Sequence, residues 1–411
     1  MNGTLTWQLA IRYFRGKRSA NAVPVLARIS MVAIAVGSMA LIILFSVFNG
    51  FEFLVKDLYK AFYPEIKISA AKGKFFALPD AQSKTIRQMA AVQQVSAAIE
   101  DNVLANSEDE QIVATLKGID TDYFKVNDVK KYIIDGRDSV SQYPVATAII
   151  GARLANQMGA DVNNAFSYVM LYYPNTSISN PALDPAAAFQ SLKLKPDGQF
   201  RIQDDFDSKY ILAPLPLVQG LFREEGKLSS LELKLKPGID AADVKQELVS
   251  LLGNSYRVET RYEQNRTLYM VMRSEKWAVY AILLLVLLIS SFNMIGALSL
   301  LVLEKRKDIA ILKIMGAEPA TIRRIFILEG VLWSLTGGGI GILLGFLICL
   351  GQQYFHWIKL GGSFIIEAYP VRMQWQDFVV VIFTIMIVGL LAAWYPALRA
   401  TKTEDPSLKS A

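Results

Sequence analysis

Side chains able to carry group-transfer or metal chemistry are scarce in this chain of 411 residues, and their spacing excludes most enzyme classes. His356 is the single histidine, so a histidine-based nucleophilic triad, a zinc-protease motif and a multi-histidine metal site cannot be assembled. It stands beside Trp357 in a short segment between two apolar runs and reads as an interfacial residue. No G-x-x-x-x-G-K-S/T stretch occurs, so ATP cannot be held by that phosphate loop. The acidic pairs Asp204-Asp205 and Glu224-Glu225 have no partner motif and read as solvated faces. Cys349 is the only cysteine, which excludes an intrachain disulfide. Asparagine sequons begin at Asn2, Asn175 and Asn265 and carry meaning only in a secretory eukaryotic setting. The chain is not expected to be an enzyme or to bind a cofactor or metal itself.

One charged segment has a more specific arrangement: Glu304, Lys305, Arg306, Lys307, Asp308, Ile309, Ala310, Ile311, Leu312, Lys313, Ile314, Met315, Gly316 and Ala317. Its charged start leads into a single short helix with Ile309, Leu312 and Met315 or Gly316 on one side. Gly316-Ala317 stops that helix, and Pro319 suits the first turn of a new one running through Arg323 and Arg324. Two readings stay open. The short helix either lies across the ends of two membrane spans and docks into a motor subunit, or is a plain basic loop joining them.

The elements that would position this segment are four long apolar runs: Ile29 to Phe48, Trp277 to Leu303, Gly330 to Ile348, and Phe378 to Leu391 with its continuation through Trp394. Each approaches the ~20 residues that cross a hydrocarbon core. An apolar content of 53% and a mean hydropathy of +0.30 agree, while 19% charged residues leave room for a water-exposed domain. The first run is longer than the core of a cleaved signal peptide, and no small-residue cleavage site follows it. The expected fold class is therefore membrane α-helical, with four transmembrane helices and a large α+β extracytoplasmic domain. The divisions are a cytoplasmic interfacial segment 1–28, transmembrane helix 29–50, outboard domain 51–274, transmembrane helix 275–303 and coupling region 304–324. Transmembrane helix 325–351, a short outer loop 352–376, transmembrane helix 377–398 and a cytoplasmic tail 399–411 complete the chain.

Basic residues set the orientation. Arg12, Arg15, Lys17, Arg18 and Arg28 precede the first run without any acid, and Lys305, Arg306, Lys307, Lys313, Arg323 and Arg324 lie between the second and third. Both segments, and with four spans both termini, belong inside. Arg266, Arg273 and Lys276 flank the second run on the outer side against this trend, but long translocated domains obey the rule weakly. Between Phe51 and Lys276 there are 27 basic and 29 acidic residues, so the net charge of +6 belongs to the membrane-flanking parts. A nucleic-acid partner is not expected. Trp7, Ala10, Ile11 and Phe14 fall at helical spacing opposite the arginines, as an interfacial helix or as an ordinary basic anchor. Pro24 is expected to break the chain before the first span.

Within the outboard domain, Pro64 to Ser69 alternates like a strand and Asp80 to Ala91 resembles a helix. Val103 to Ala105 and Ile112 to Leu116 suggest a hairpin around the acidic turn Asn106 to Gln111. Ala148 to Gly151 followed by Arg153 to Gly159 reads as strand, glycine turn and short helix. Tyr173 to Pro185 is rich in Pro, Asn and Ser and reads as a loop or insertion. Leu231-Glu232-Leu233-Lys234-Leu235 alternates strictly, and Ala241 to Leu252 is an amphipathic helix. One α+β unit or two small ones would result.

These segments together resemble a known family. Ser46-Val47-Phe48-Asn49-Gly50-Phe51-Glu52 at the end of the first run, Phe292-Asn293-Met294-Ile295 in the second, the Glu304 to Ala317 segment and Tyr395-Pro396-Ala397-Leu398-Arg399-Ala400 match its pattern. So do Gly151 to Gly159 and the stretch from Gln264-Asn265-Arg266 to Glu275-Lys276. The chain resembles, over nearly its whole length, permeases of the lipoprotein-releasing type (LolC/LolE-type). They sit in the wider ABC-transporter group with the macrolide-exporter permease MacB and the cell-division protein FtsX. It departs at Ala160-Asp161-Val162-Asn163-Asn164 and in the Tyr173 to Pro185 loop.

The resemblance implies a permease subunit of the bacterial inner membrane that extracts lipoproteins for delivery toward the outer membrane. It further implies a second permease copy or paralogue, a separately encoded ABC ATPase that binds ATP and Mg, and a periplasmic lipoprotein carrier as receiver. An apolar cavity between the first and second spans would take the cargo, and Asn49, near the outer end of span one, would meet a lipid-facing substrate. Gly337, Gly341 and Gly345 recur every four residues in the third span and allow close helix approach, either within one subunit or at a dimer interface. Ser290, Ser291 and Asn293 should find partners across helices. Two other functions share the resemblance: efflux of the macrolide-exporter kind, against which the absence of an ATPase motif stands, and FtsX-like regulation of cell-wall hydrolases, whose outboard domain is typically much smaller.

Overall fold

The computed structural model describes residues 8, 10–12, 22–107, 110–164, 166–175, 188–359 and 368–402. They form two compact units, one containing residues up to Phe53, Met270–Lys359 and Ala368 onward, the other Leu54–Tyr269.

The first unit is helical. Four helices are long and apolar enough to cross a membrane: the first Ala22–Phe62, the second Arg266–Glu304, the third Pro319–Phe355 and the fourth Trp375–Lys402. Each contains one of the apolar runs and continues past it. The extensions arise because amphipathic turns follow the apolar core without a helix breaker, as in Phe51 to Phe62, where Leu54, Leu58 and Phe62 repeat every four residues and are buried. Pro24 does not break the chain before the first helix, contrary to expectation. The helix starts at Ala22, so Pro24 stands in its first turn, where its missing N–H removes no intrahelical bond. The core gathers Ile34, Leu41, Leu287, Met294, Leu298, Phe326, Trp333 and Ile385 from all four helices. Of the expected interfacial helix at the start of the chain only Gln8 and Ala10–Arg12 are described, and they are helical.

The second unit is built on a mixed sheet. Its strands are β1 Ile66–Ala70, β2 Val92–Ser107, β3 Glu110–Ile119, β4 Ile133–Gly136, β5 Thr147–Gly151, β6 Val169–Pro174, β7 Phe189–Phe200, β8 Tyr210–Pro214, β9 Ser230–Leu235 and β10 Tyr256–Thr260. The order is β10-β1-β9-β2-β3-β8-β5-β7-β4, with β6 bridging β2 and β7. Strand β2 joins the two halves: Val92 to Ala98 pairs with β9, and Ala98 to Ser107 pairs with β3. One apolar cluster with Leu116, Ile150, Leu154, Leu171 and Ile211 fills one half. Another with Ile66, Ile68, Val95, Leu231, Leu233, Val244 and Val258 fills the other. The unit is thus one continuous sheet with two cores.

Three local expectations change. The hairpin is far longer than its apolar stretches, because the polar Asn102, Asn106 and Ser107 also pair, with Thr115, Gln111 and Glu110. Gly151 ends β5 and caps the helix Ala152–Met158 directly, so no separate turn intervenes; a Cβ there would lie 2.3 Å from the carbonyl oxygen of Asp207. Tyr173 and Pro174 belong to β6, while 176–185 of the expected loop lies outside the described residues.

Candidate functional site: the helical bundle and its charged groups

The short helix of the charged segment spans Arg306–Ile314. Glu304 is the last residue of the second helix, and Lys305 caps the short one with its ammonium 3.2 Å from Asp308. Arg306 and Lys307 are exposed. Gly316 takes φ +84°, a left-handed conformation that glycine adopts without strain, and Pro319 opens the third helix, as the spacing predicts. The apolar side differs from expectation. Ile309 is buried and Leu312 half-buried against the bundle, whereas Ile311, Ile314 and Met315 are 56, 75 and 76% exposed. The face containing Ile309 and Leu312 therefore serves the protein's own core, and Met315 lies away from it. Lys313 donates to the Thr401 carbonyl at 3.1 Å, tying this helix to the end of the fourth.

The glycine stripe packs inside the subunit. A Cβ on Gly341 would lie 2.0 Å from Ser38 Oγ and 2.1 Å from the Ala35 carbonyl oxygen; Gly337 faces Met31, and Gly345 faces Met39 and Ile42. The third helix thus contacts the first backbone to backbone. Gly330, Gly338 and Gly389 admit side chains between the third and fourth helices, those of Ala393, Ile385 and Ser334.

Asn49 does not face lipid. It is 2% exposed, donates from Nδ2 to Asp377 at 2.5 Å and accepts from Lys276 Nζ at 2.7 Å. Lys276 stands 3.8 Å from the Asp377 carboxylate and 5.5 Å from the Phe45 ring centroid. Gly50 permits close approach of the short outer segment, since a Cβ there would lie 2.1 Å from the Pro370 carbonyl oxygen. Sequence reasoning missed Lys276 and Asp377 as partners. The signal was Lys276 itself, a lysine on the side that should avoid positive charge, and here its charge is met by Asp377. Phe292 is 68% exposed and Asn293 is exposed too, while Ser290 and Ser291 donate to carbonyls of Val286 and Leu288 in their own helix. The expected cross-helix partners of Ser290 and Ser291 are therefore replaced by local ones, because a serine in a helix reaches the carbonyl three or four residues back.

In the sheet unit, the strictly alternating strand β9 buries Glu232 along with its leucines. The Glu232 side chain is fully buried, accepts from Lys117 Nζ at 2.7 Å and from Asn127 Nδ2 at 2.6 Å, and has Ser230 Oγ at 3.4 Å. Glu100 bridges Lys117 (3.7 Å) and Lys67 (3.0 Å). Burial raises the Glu100 pKa, but the two ammonium groups outweigh it and hold the carboxyl at about 2. Lys117 is pushed well above its ordinary value, because Glu232, Tyr123 and Glu100 overcome the effect of burial. Phe62 and Tyr123 place rings 5.2 and 5.1 Å from the same ammonium. Asp204 pairs with Arg153 and Glu224 with Lys227 on the surface. Among the described residues no group of acidic, cysteine or histidine side chains could hold a metal.

Against known proteins, residues 28–251 match the MacB-like periplasmic core domain and residues 280–404 the FtsX-like permease C-terminal part. The chain belongs to this permease family. Over 97% of its length and 97% of theirs, it is 25% identical to the lipoprotein-releasing system transmembrane protein LolE of Haemophilus influenzae. It is 26% identical, over 98% of both chains, to the corresponding LolC protein of Xylella fastidiosa. The periplasmic region of MacB from Actinobacillus actinomycetemcomitans aligns with a TM-score of 0.38 at 12% identity, covering 53% of this chain and 98% of that one. As a permease the chain is a membrane subunit of the ABC-transporter kind rather than a catalytic one.

Proposed function

We propose that this permease is the membrane subunit of an ATP-driven ABC complex that extracts lipoproteins from the bacterial inner membrane for delivery toward the outer membrane. The reading is carried by the end-to-end alignment with LolE and LolC proteins, whose names state lipoprotein release. Both termini and the Arg306–Ile314 helix lie in the cytoplasm, where the short basic segments belong. A separately encoded ATPase holds ATP and Mg and docks on the exposed side chains of Ile311, Ile314 and Met315. A second permease copy or a paralogue completes the membrane part, and a periplasmic carrier receives the cargo.

The energetics restrict the route. A triacylated cargo with about 45 methylenes is held in the bilayer by roughly 35 kcal/mol, at ~0.8 kcal/mol per methylene. Release into water is excluded on that scale, so the acyl chains must travel along apolar surface. The outward face of the second helix, with Ile282, Leu285, Ile289 and Phe292 exposed, supplies such surface. Pulse-labelling after depletion of the protein, followed by membrane fractionation, tests the proposal. Newly made outer-membrane lipoproteins should remain in the inner membrane; unchanged sorting in a strain without a redundant paralogue would refute it.

A further inference from the structure

The second helix is attached unevenly. Its buried residues begin at Leu287 and run to Val302, all in the half nearer the charged segment. From Met270 to Val286 no side chain is fully buried. Tyr280 and Leu283 pack partly buried against the core, the Tyr280 ring stacked 5.7 Å from Phe45, and polar contacts add to this hold: Lys276 on Asn49 and Asp377, and the Tyr280 hydroxyl 2.9 Å from the Thr384 hydroxyl. Lys276 also lines a small groove between the outer ends of the first and second helices, with Phe48, Phe51, Glu52, Met272 and Glu275.

We propose that Asn49, Lys276 and Asp377 form a latch that clamps the outer half of the second helix onto the first and fourth helices and keeps the groove closed. A clamp made of apolar packing alone would hold weakly in a bilayer, where detached apolar side chains lose little in lipid. A charge-assisted cluster behaves differently. It is strong while its partners are in line and separates as a unit once Asn49 is displaced, because the amide makes both hydrogen bonds, one as donor and one as acceptor. Asp377 and Lys276 are 12 and 29% exposed, so the ammonium lies at the edge of the bundle and not sealed within it. The latch thus sets how readily the first and second helices part, independently of what then enters between them.

The test uses the full chain in nanodiscs, with Cys349→Ala to remove the native thiol and spin labels at Phe48→Cys and Met272→Cys across the groove. Without further change the distance distribution should be narrow and short. Asn49→Ala and Asp377→Asn should each add a longer-distance population. The open-to-closed ratio should rise about tenfold or more, ~1.4 kcal/mol at 298 K. The exchange Lys276→Asp with Asp377→Lys should restore the short distance, because the Asn49 amide can turn over and serve the reversed charges. Distributions unchanged by both single substitutions in inserted, monodisperse protein would overturn the latch. So would failure of the charge exchange to restore closure when each single substitution opens the groove. None of these readouts involves lipoprotein, so the latch can fail while the transport reading stands, and the reverse.

Discussion

Substituting Lys117→Met isolates the contribution of the ion cluster that the sheet unit buries. Glu232, with no solvent exposure, would keep only Asn127 at 2.6 Å and the Ser230 hydroxyl at 3.4 Å, and Glu100 would keep only Lys67. Removing one member of a buried pair costs about 3–5 kcal/mol. Loss of the ammonium facing the Phe62 and Tyr123 rings adds about 1 kcal/mol. Glu232→Leu should cost less, about 3 kcal/mol, since Lys117 retains Glu100 at 3.7 Å. The double substitution replaces both charges with apolar groups of similar volume and should fall within about 1 kcal/mol of the parent. Amide hydrogen exchange on the full-length protein, read in β2, β3 and β9, measures these differences directly: a cost of 3 kcal/mol accelerates exchange through local opening by more than 100-fold. Two results would refute the reasoning. One is a less than tenfold acceleration in Lys117→Met; the other is a double variant that exchanges as fast as the worse single one.

The pH response should have two parts of opposite sign. Burial lifts the Asp207 carboxyl from an ordinary 3.8 to about 6, against the opposing N–H groups of Ile202 and Gln203. Its folded pKa is the higher one, so the stability it contributes is full below 3.8 and lost as pH rises through 6; Asp207→Asn should flatten urea unfolding midpoints between pH 4 and 7. Glu100, at about 2 in place of 4.5, contributes stability above 4.5 that is lost as pH falls toward 2, so acid unfolding in that window should weaken in Glu100→Gln. Gly341→Ala pushes a methyl into the Ala35 carbonyl and Ser38, and should cost about 1–3 kcal/mol, seen as a lower melting temperature by fluorescence size exclusion. Ile314→Asp should abolish co-purification of an ATPase while leaving insertion normal, whereas Leu312→Asp should reduce the yield of folded permease because that side chain packs inward.

The four membrane helices were legible because hydropathy is a local signal, and the stop at Gly316 with the restart at Pro319 was legible because capping chemistry is local too. Helix ends were not, since Phe51 to Phe62 carries an amphipathic rather than an apolar pattern and merges with the preceding span. Glu232 shows the limit of period-two reading. Alternation in β9 separates the glutamate from the leucines, and only the distant Lys117 reveals that its face too is buried. Asn49, Lys276 and Asp377 are each more than a hundred residues apart, and no periodicity connects them. The glycine stripe was visible, but its partner was not, because close approach requires glycine whether the neighbouring helix belongs to the same subunit or another.

That stripe divides the bundle into a frame and a less tightly seated part. The third helix touches the first through Gly337, Gly341 and Gly345, and the fourth through Gly330, Gly338 and Gly389, each glycine leaving little or no room for a Cβ against the facing helix. Helices so seated cannot slide or tilt by an ångström without collision, because interiors at crystal-like density have no slack to absorb it. The first, third and fourth helices are therefore the closely seated part of the bundle, and the Met270 to Val286 half of the second helix, with no side chain fully buried, is seated less tightly. A methyl group placed on any of those six glycines would loosen the frame itself.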